Sequence, residues 1–293
     1  MIEEEIPSIF ARYHKKISNN NILSPIGRNG IVHIELDITE DSRTFLKNVK
    51  SRAPLLVQRA LYPDRQFPKM AKIYLMSSSG GILQGDRLKI DIIAHEKTSA
   101  LFTTQAATKI YKMEYGYAHQ NINIHLHKGS YVEFTPEQII PYTSSRFYQE
   151  VNLRIEPNSS VLYSEILSAG RIASGEVFDF DICFFKINAY DENDNIIFAD
   201  TMSIEPAEYM KYIQYAFGHK KILSNIYIVT KTINYKELDQ RINSIINSQP
   251  ILGGCSALPQ EAGIVTRILS NSVDEAKWFI KSVVFIVRNF ILN

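Results

Sequence analysis

From Ile73 to about Ile204 the chain repeats one signature. Apolar and polar residues alternate with period two, broken by turn residues and by no helical stretch. Leu88, Ile90 and Ile92 alternate with Lys89 and Asp91, and Ile122, Ile124 and Leu126 with Asn121, Asn123, His125 and His127. Val132 and Phe134 follow a turn at Gly129, and Val151, Leu153 and Ile155 precede Pro157-Asn158. Phe178, Phe180, Ile182 and Phe184 alternate with Asp179, Asp181 and Cys183, and residues 191–195 read as a hairpin tip before a strand over 196–204. Successive strand side chains point to opposite faces, so each segment has one face to bury. Many short strands of this kind bury those faces by stacking, which predicts a mainly β fold of short strands in stacked sheets. No fixed-length sequence repeat marks a solenoid.

The period changes in the last third. Leu238, Ile242, Ile245 and Ile246 fall at helical spacing over residues 235–248. Ser272 and Glu275 form a capping box opening a second helix, whose stripe is Phe279, Val283, Ile286, Val287 and Phe290. Residues 250–259, with Gly253-Gly254, read as a loop. Regular structure is expected from Ile31, in a single domain over 31–293. Residues 1–30, with Asn19, Asn20, Asn21, Pro25 and Gly27, are expected to be a loosely ordered lead-in.

With 32 Lys plus Arg against 31 Asp plus Glu, the chain lacks the charge of a nucleic-acid or membrane-surface binder. The acidic start has no apolar signal region, and the apolar run 278–292 carries Lys281 and Arg288 and falls short of a span. A soluble cytoplasmic protein is expected. Cys183 and Cys255 form no metal or redox motif.

Residues 77–112 are the stretch that composition does not explain. Gly80 and Gly85 have phosphate-loop spacing, but Asp86-Arg87 follow where that loop needs Lys and Ser/Thr, so nucleotide binding is rejected. The remaining readings are a tight turn or a backbone that must approach something closely. His125 and His127, two apart on one strand, are candidate ligands for Ni²⁺ or Zn²⁺, set against an incidental solvent-facing pair; the other histidines have no partner in register. Carboxylates among apolar strand residues (Asp86, Glu133, Glu137, Glu165, Glu176, Asp200) need a cation, water or a metal, and Arg87, Lys109, Arg146 and Arg171 are the available cations. There is no G-x-S-x-G elbow, and Glu133 and Glu137 are too close in sequence to oppose each other across a sugar.

The strings GGILQGDRLKIDI, TTQAATKIYK, PEQIIPY and SEILSAGRIASGEVF, in this order, resemble the urease accessory protein UreD/UreH family. The similarity runs from about residue 31, is strongest over 53–201, and returns near 263–290. It implies a helicoid β arrangement with two flanking helices and a non-enzymatic scaffold in the nickel-loading complex. That scaffold would bind apo-urease and a UreF-like partner, through which a UreG-like GTPase joins, with no tightly bound cofactor and only transient Ni²⁺. Asp86, Thr108, Glu165 and Asp200 fall at motif positions assigned to a polar nickel passage. Gly80, Gly81, Gly85, Gln105, Lys109, Glu137, Arg171 and Glu176 are supporting polar or loop positions. Residues 142–149, the loop 170–176 and the last helix are candidate partner surfaces. Two alternatives stand beside this: a β-scaffold carbohydrate hydrolase, and a β-rich interaction protein independent of metal.

Overall fold

A computed structural model of the chain describes residues 7–13, 28–230 and 232–292. The strands are β1 (Asn29–Ile38), β2 (Thr44–Arg52), β3 (Leu55–Val57), β4 (Ala71–Ser77), β5 (Arg87–Ala94), β6 (Ser99–Thr104), β7 (Thr108–Ile110), β8 (Ala118–Leu126), β9 (Tyr131–Phe134) and β10 (Ile139–Pro141). They continue as β11 (Arg146–Ile155), β12 (Ser160–Ser168), β13 (Ile182–Tyr190), β14 (Ile196–Ile204), β15 (Ile222–Thr230), β16 (Leu252–Ala257) and β17 (Gly263–Ser270). The helices are α1 (Pro206–Phe217), α2 (Tyr235–Asn247) and α3 (Val273–Ile291).

The strands stack in two sheets, as the alternation requires. The first has the order β14-β13-β11-β8-β5-β1-β2, the second β16-β17-β15-β12-β9-β6-β4-β3. The middle of the chain is a coil. It lays β5, β8, β11 and β13 side by side in parallel in the first sheet, and β4, β6, β9 and β12 in the second. Antiparallel strands flank the coil in both sheets.

Parallel register stacks like on like. Val32, Ile90, Ile122, Val151 and Ile187 lie in one row, and Ile34, Ile92, Ile124, Leu153 and Ala189 in another. All ten are buried in the core between the sheets. On the outer face, Asp91, Asn123, Asn152 and Asn188 share a row. Their amides donate along it, Asn188 to Asn152 at 3.0 Å, Asn152 to Asn123 at 3.1 Å and Asn123 to Asp91 at 2.8 Å. The polar half of the alternation thus forms an amide ladder that fixes register.

α2 and α3 cover the outer face of the second sheet. Phe279, Val283 and Val287 meet Leu162, Ile226, Ile228 and Ile264 in a second core. The stripe of the last helix is therefore core, while Trp278 and Phe285 stay exposed on its far side. Ser272 caps this helix by accepting from Glu275 N–H at 3.2 Å, the expected capping interaction.

The structure differs from expectation at several points. Residues 8–13, placed in the loose lead-in, form a 3-10 turn that docks Phe10, fully buried, against Tyr117, Tyr148 and Ile182. The loop signals at Asn19, Asn20, Asn21, Pro25 and Gly27 lie outside the described residues. A further helix, α1, was not anticipated. It buries only Pro206, Ile213 and Phe217 and exposes Tyr212 and Tyr215, so it carries no broad apolar stripe. The expected 250–259 loop contains β16; at Gly253 a Cβ would lie 2.3 Å from the Arg267 carbonyl oxygen, so glycine permits the close pairing with β17. Phe178 and Phe180 precede β13 and pack as core residues outside it; the Phe178 ring lies 4.9 Å from that of Phe217.

Candidate functional site

Alternation sends Val161, Tyr163, Glu165 and Leu167 of β12 into the layer between the sheets, and Leu162 and Ile166 toward α3. Glu165 is thereby a carboxyl buried between the sheets, 6% exposed. It accepts from Asn225 Nδ2 at 2.8 Å, its register partner on β15, and from Gln149 Nε2 at 3.1 Å, which reaches over from β11 in the facing sheet. Tyr163 donates its hydroxyl at 3.3 Å. Burial pushes the Glu165 pKa up to about 7; the Asn225 and Tyr163 hydrogen bonds pull against that, and the charge of Asp200 adds to it.

Asp200 stands opposite, on β14 of the first sheet. It accepts from the Tyr227 hydroxyl at 2.8 Å and pairs with Arg267 of β17. Glu165, Asp200, Tyr227, Lys186, Phe185 and Met202 line a cavity of about 10 Å³, close to what one water requires. Asn225 Oδ1 is buried with no protein donor. Two carboxylates, one from each sheet, therefore converge on a water-sized space, with the Asn225 amide beside Glu165. Of the four predicted passage residues, the fold brings Glu165 and Asp200 together.

It does not bring Asp86 or Thr108 there. Asp86 is fully buried beneath the glycine turn and saturated. It accepts from Arg28 N and Nε at 3.0 and 3.1 Å, from Arg28 Nη2 at 2.6 Å and from Leu83 N at 2.9 Å. Its cation is none of the four anticipated. Thr108 is half-buried on β7, in register with Ile139 of β10, and its N–H donates to Gln138 O. The close approach expected of the glycine stretch is real, but to the chain itself. A Cβ on Gly81 would lie 2.6 Å from the Lys109 carbonyl oxygen, and Ile82 bridges to Ile110. Gly80 abuts the Tyr111 ring, Gly85 turns the chain at positive φ, and Lys109 and Gln105 are exposed.

The remaining carboxylates are paired. Glu133 accepts from Arg288 Nε at 2.5 Å and Nη2 at 2.7 Å and from the Tyr131 hydroxyl at 2.7 Å. Glu137 pairs with Lys277. Both line a groove of about 630 Å³ beside α3, yet each carboxylate is committed to a cation rather than facing the other. Arg171, one of the four anticipated cations, binds Glu176, with Nε 2.8 Å from Oε2; its guanidinium also stacks on Tyr142, joining two of the expected recognition segments. His125 and His127 meet at Glu156 on the outer face of the first sheet. Of the other histidines, for which no partner in register was expected, His95 stacks on His127, and His33 lies 3.1 Å from Glu35 on its own strand. His14 lies outside the described residues.

Sequence reasoning missed Gln149, Asn225, Tyr227 and Arg267 as members of the central cluster. The only available signal was polarity at the core phase of an apolar strand, which Asn225 shows within the run 222–230.

Fold and site together define a coiled two-sheet β scaffold enclosing a small carboxylate–amide cluster. The family model described as UreD urease accessory protein matches residues 29–293. The chain is 37% identical over 249 residues to urease accessory protein UreD of Cenarchaeum symbiosum, covering 85% of this chain and 87% of that protein. It is 32% identical over 271 residues to urease accessory protein UreD of Photorhabdus laumondii (92% and 84%), and 34% over 246 residues to urease accessory protein UreD 2 of Brucella canis (83% and 81%). The chain belongs to the UreD urease accessory protein family. Among the described residues, no helix is long and apolar enough to cross a membrane.

Proposed function

We propose that this chain is a non-enzymatic scaffold in urease maturation, cytoplasmic like the complex it would serve, and that Glu165 and Asp200 lie on the route by which Ni²⁺ passes toward apo-urease. The observation that carries the route is the convergence of Glu165 and Asp200, from facing sheets, on a water-sized cavity. Carboxylate, amide and water oxygens are harder donors than those nickel prefers, so such a cluster holds the ion loosely. Loose holding suits transit, as in a conducting pore. Glu165, with a pKa near 7, can exchange its proton for a passing cation at little cost.

Apo-urease and a UreF-like protein are the proposed partners, with a UreG-like GTPase joining through the latter. Arg171, Glu176 and Tyr142 form a braced loop pair suited to one contact. The hydrolase alternative loses its carboxylate pair, because Arg288 and Lys277 occupy Glu133 and Glu137.

The route is tested by replacing Glu165→Leu and Asp200→Leu separately. Each is expected to lower urease activation by roughly tenfold or more while co-purification with the partners persists, since a blocked cavity leaves the outer surface intact. Full activation with both variants would remove the route from the proposal.

A further inference from the structure

The parallel coil also shapes the outer face of the first sheet, the side away from the layer between the sheets. Ala94, Leu126 and Ile155 are in register at the ends of β5, β8 and β11. The next residues, His95, His127 and Glu156, therefore leave three successive turns side by side. His125 comes from the same face of β8, one alternation earlier. The imidazole nitrogens His125 Nε2 and His127 Nδ1 lie 3.3 and 2.9 Å from Glu156 Oε1. All three ligand atoms fall within 4.8 Å of one another.

We infer that His125, His127 and Glu156 form a binding site for a borderline divalent cation of the Ni²⁺ or Zn²⁺ kind. Imidazole nitrogens and a carboxylate oxygen are a donor set such ions accept. Donors held about 2.0–2.2 Å from one cation stand about 3 Å apart from one another, close to the two spacings seen here. The set is also pre-arranged. The rings project from the end of β8 and the residue just beyond it, their centroids 4.3 Å apart, and the Lys128 N–H donates to the other carboxylate oxygen at 3.1 Å, fixing the Glu156 rotamer. His95 stacks on His127 at 5.2 Å and braces that ring. The three side chains are about a quarter to a third exposed, so the remaining coordination positions open to solvent. Arg154, the register neighbour of His125, pairs with Asp194, which lowers its repulsion of a cation. This site does not rest on the proposed nickel route; it lies on the opposite face of the first sheet.

The test uses the full metal-free chain, titrated with Ni²⁺ and separately with Zn²⁺ and followed by calorimetry. His127→Ala and Glu156→Gln are each expected to remove one binding event or weaken it roughly tenfold or more, as loss of a ligand does. Glu165→Leu should leave that event unchanged. In the unaltered protein, paramagnetic Ni²⁺ should broaden the ring resonances of His125 and His127 before those of His33 and His219, a readout independent of any variant's folding. A response to Zn²⁺ but not Ni²⁺ would make the site a zinc site. Identical Ni²⁺ and Zn²⁺ titrations for all variants, or Ni²⁺ binding without selective broadening of these two rings, would overturn the inference.

Discussion

Glu165→Gln is expected to make the protein more stable at pH 8 while lowering its capacity to activate urease. The Glu165 pKa is raised from the ordinary 4.5 to about 7, chiefly because the carboxyl is buried. The folded protein then holds this proton more tightly than the unfolded chain. Below pH 4.5 both states are protonated and the site costs nothing. Between about pH 4.5 and 7 the unfolded chain ionises first and stability falls; above pH 7 the full penalty persists, about 3 kcal/mol for a displacement of this size. A neutral amide removes that penalty. Asn225 can still donate to the new carbonyl, while Gln149 can turn its amide and Tyr163 its hydroxyl to accept. Urea unfolding at pH 5 and pH 8 checks the sign: the variant should gain up to about 3 kcal/mol at the higher pH and much less at the lower. An equal effect at both would mean that Glu165 ionises normally. A polar group kept at such cost in a core is the mark of a working residue, so the stabilised variant should fail in activation.

The largest loss is expected at Asp86, which the family resemblance placed in the passage, and at its partner Arg28. Arg28→Ala leaves Asp86 charged, fully buried and held only by two backbone N–H groups. Stranding a buried charge in this way costs about 3–5 kcal/mol. Asp86→Asn added to Arg28→Ala should recover part of it, because the stranded group is then neutral. Denaturant midpoints of the two single variants and the double check this. Asp86 variants should consequently lose activation together with partner assembly, unlike Glu165 variants, which should lose activation alone. A stable Asp86 variant that assembles but does not activate would restore Asp86 to the passage.

The contrast between these two acids shows what the sequence could carry. Glu165 sits inside an apolar strand run, so it stood out as a carboxylate that needs a partner, although the strand, buried on both faces, did not mark which way it points. Asp86 sits in a turn, and its partner Arg28 is 58 residues away in a segment that reads as loop. Nothing local announces a contact of that separation. The same holds for the histidine strip. His125 and His127 were visible as a strand pair, but Glu156 and His95 join them only through the register of consecutive coil turns. The stacked-sheet fold was legible because alternation is a local property of the strands. Its coil was implied only by the family resemblance, because turns of unequal length erase any fixed period in sequence even where Ile90, Ile122, Val151 and Ile187 share one row. β12 and β15 show the opposite limit: buried on both faces, they carry little polar phase to read. α1 eluded the pattern for the reverse reason, since most of its surface faces solvent.

The central claim is that this chain is required to bring nickel into urease. The most direct measurement is activation of metal-free urease by the full set of matching accessory proteins, Ni²⁺ and GTP, with and without this chain, read as urea hydrolysis. The account predicts hydrolysis only when the chain is present. Equal hydrolysis without it, with every other component present and soluble, would contradict the account.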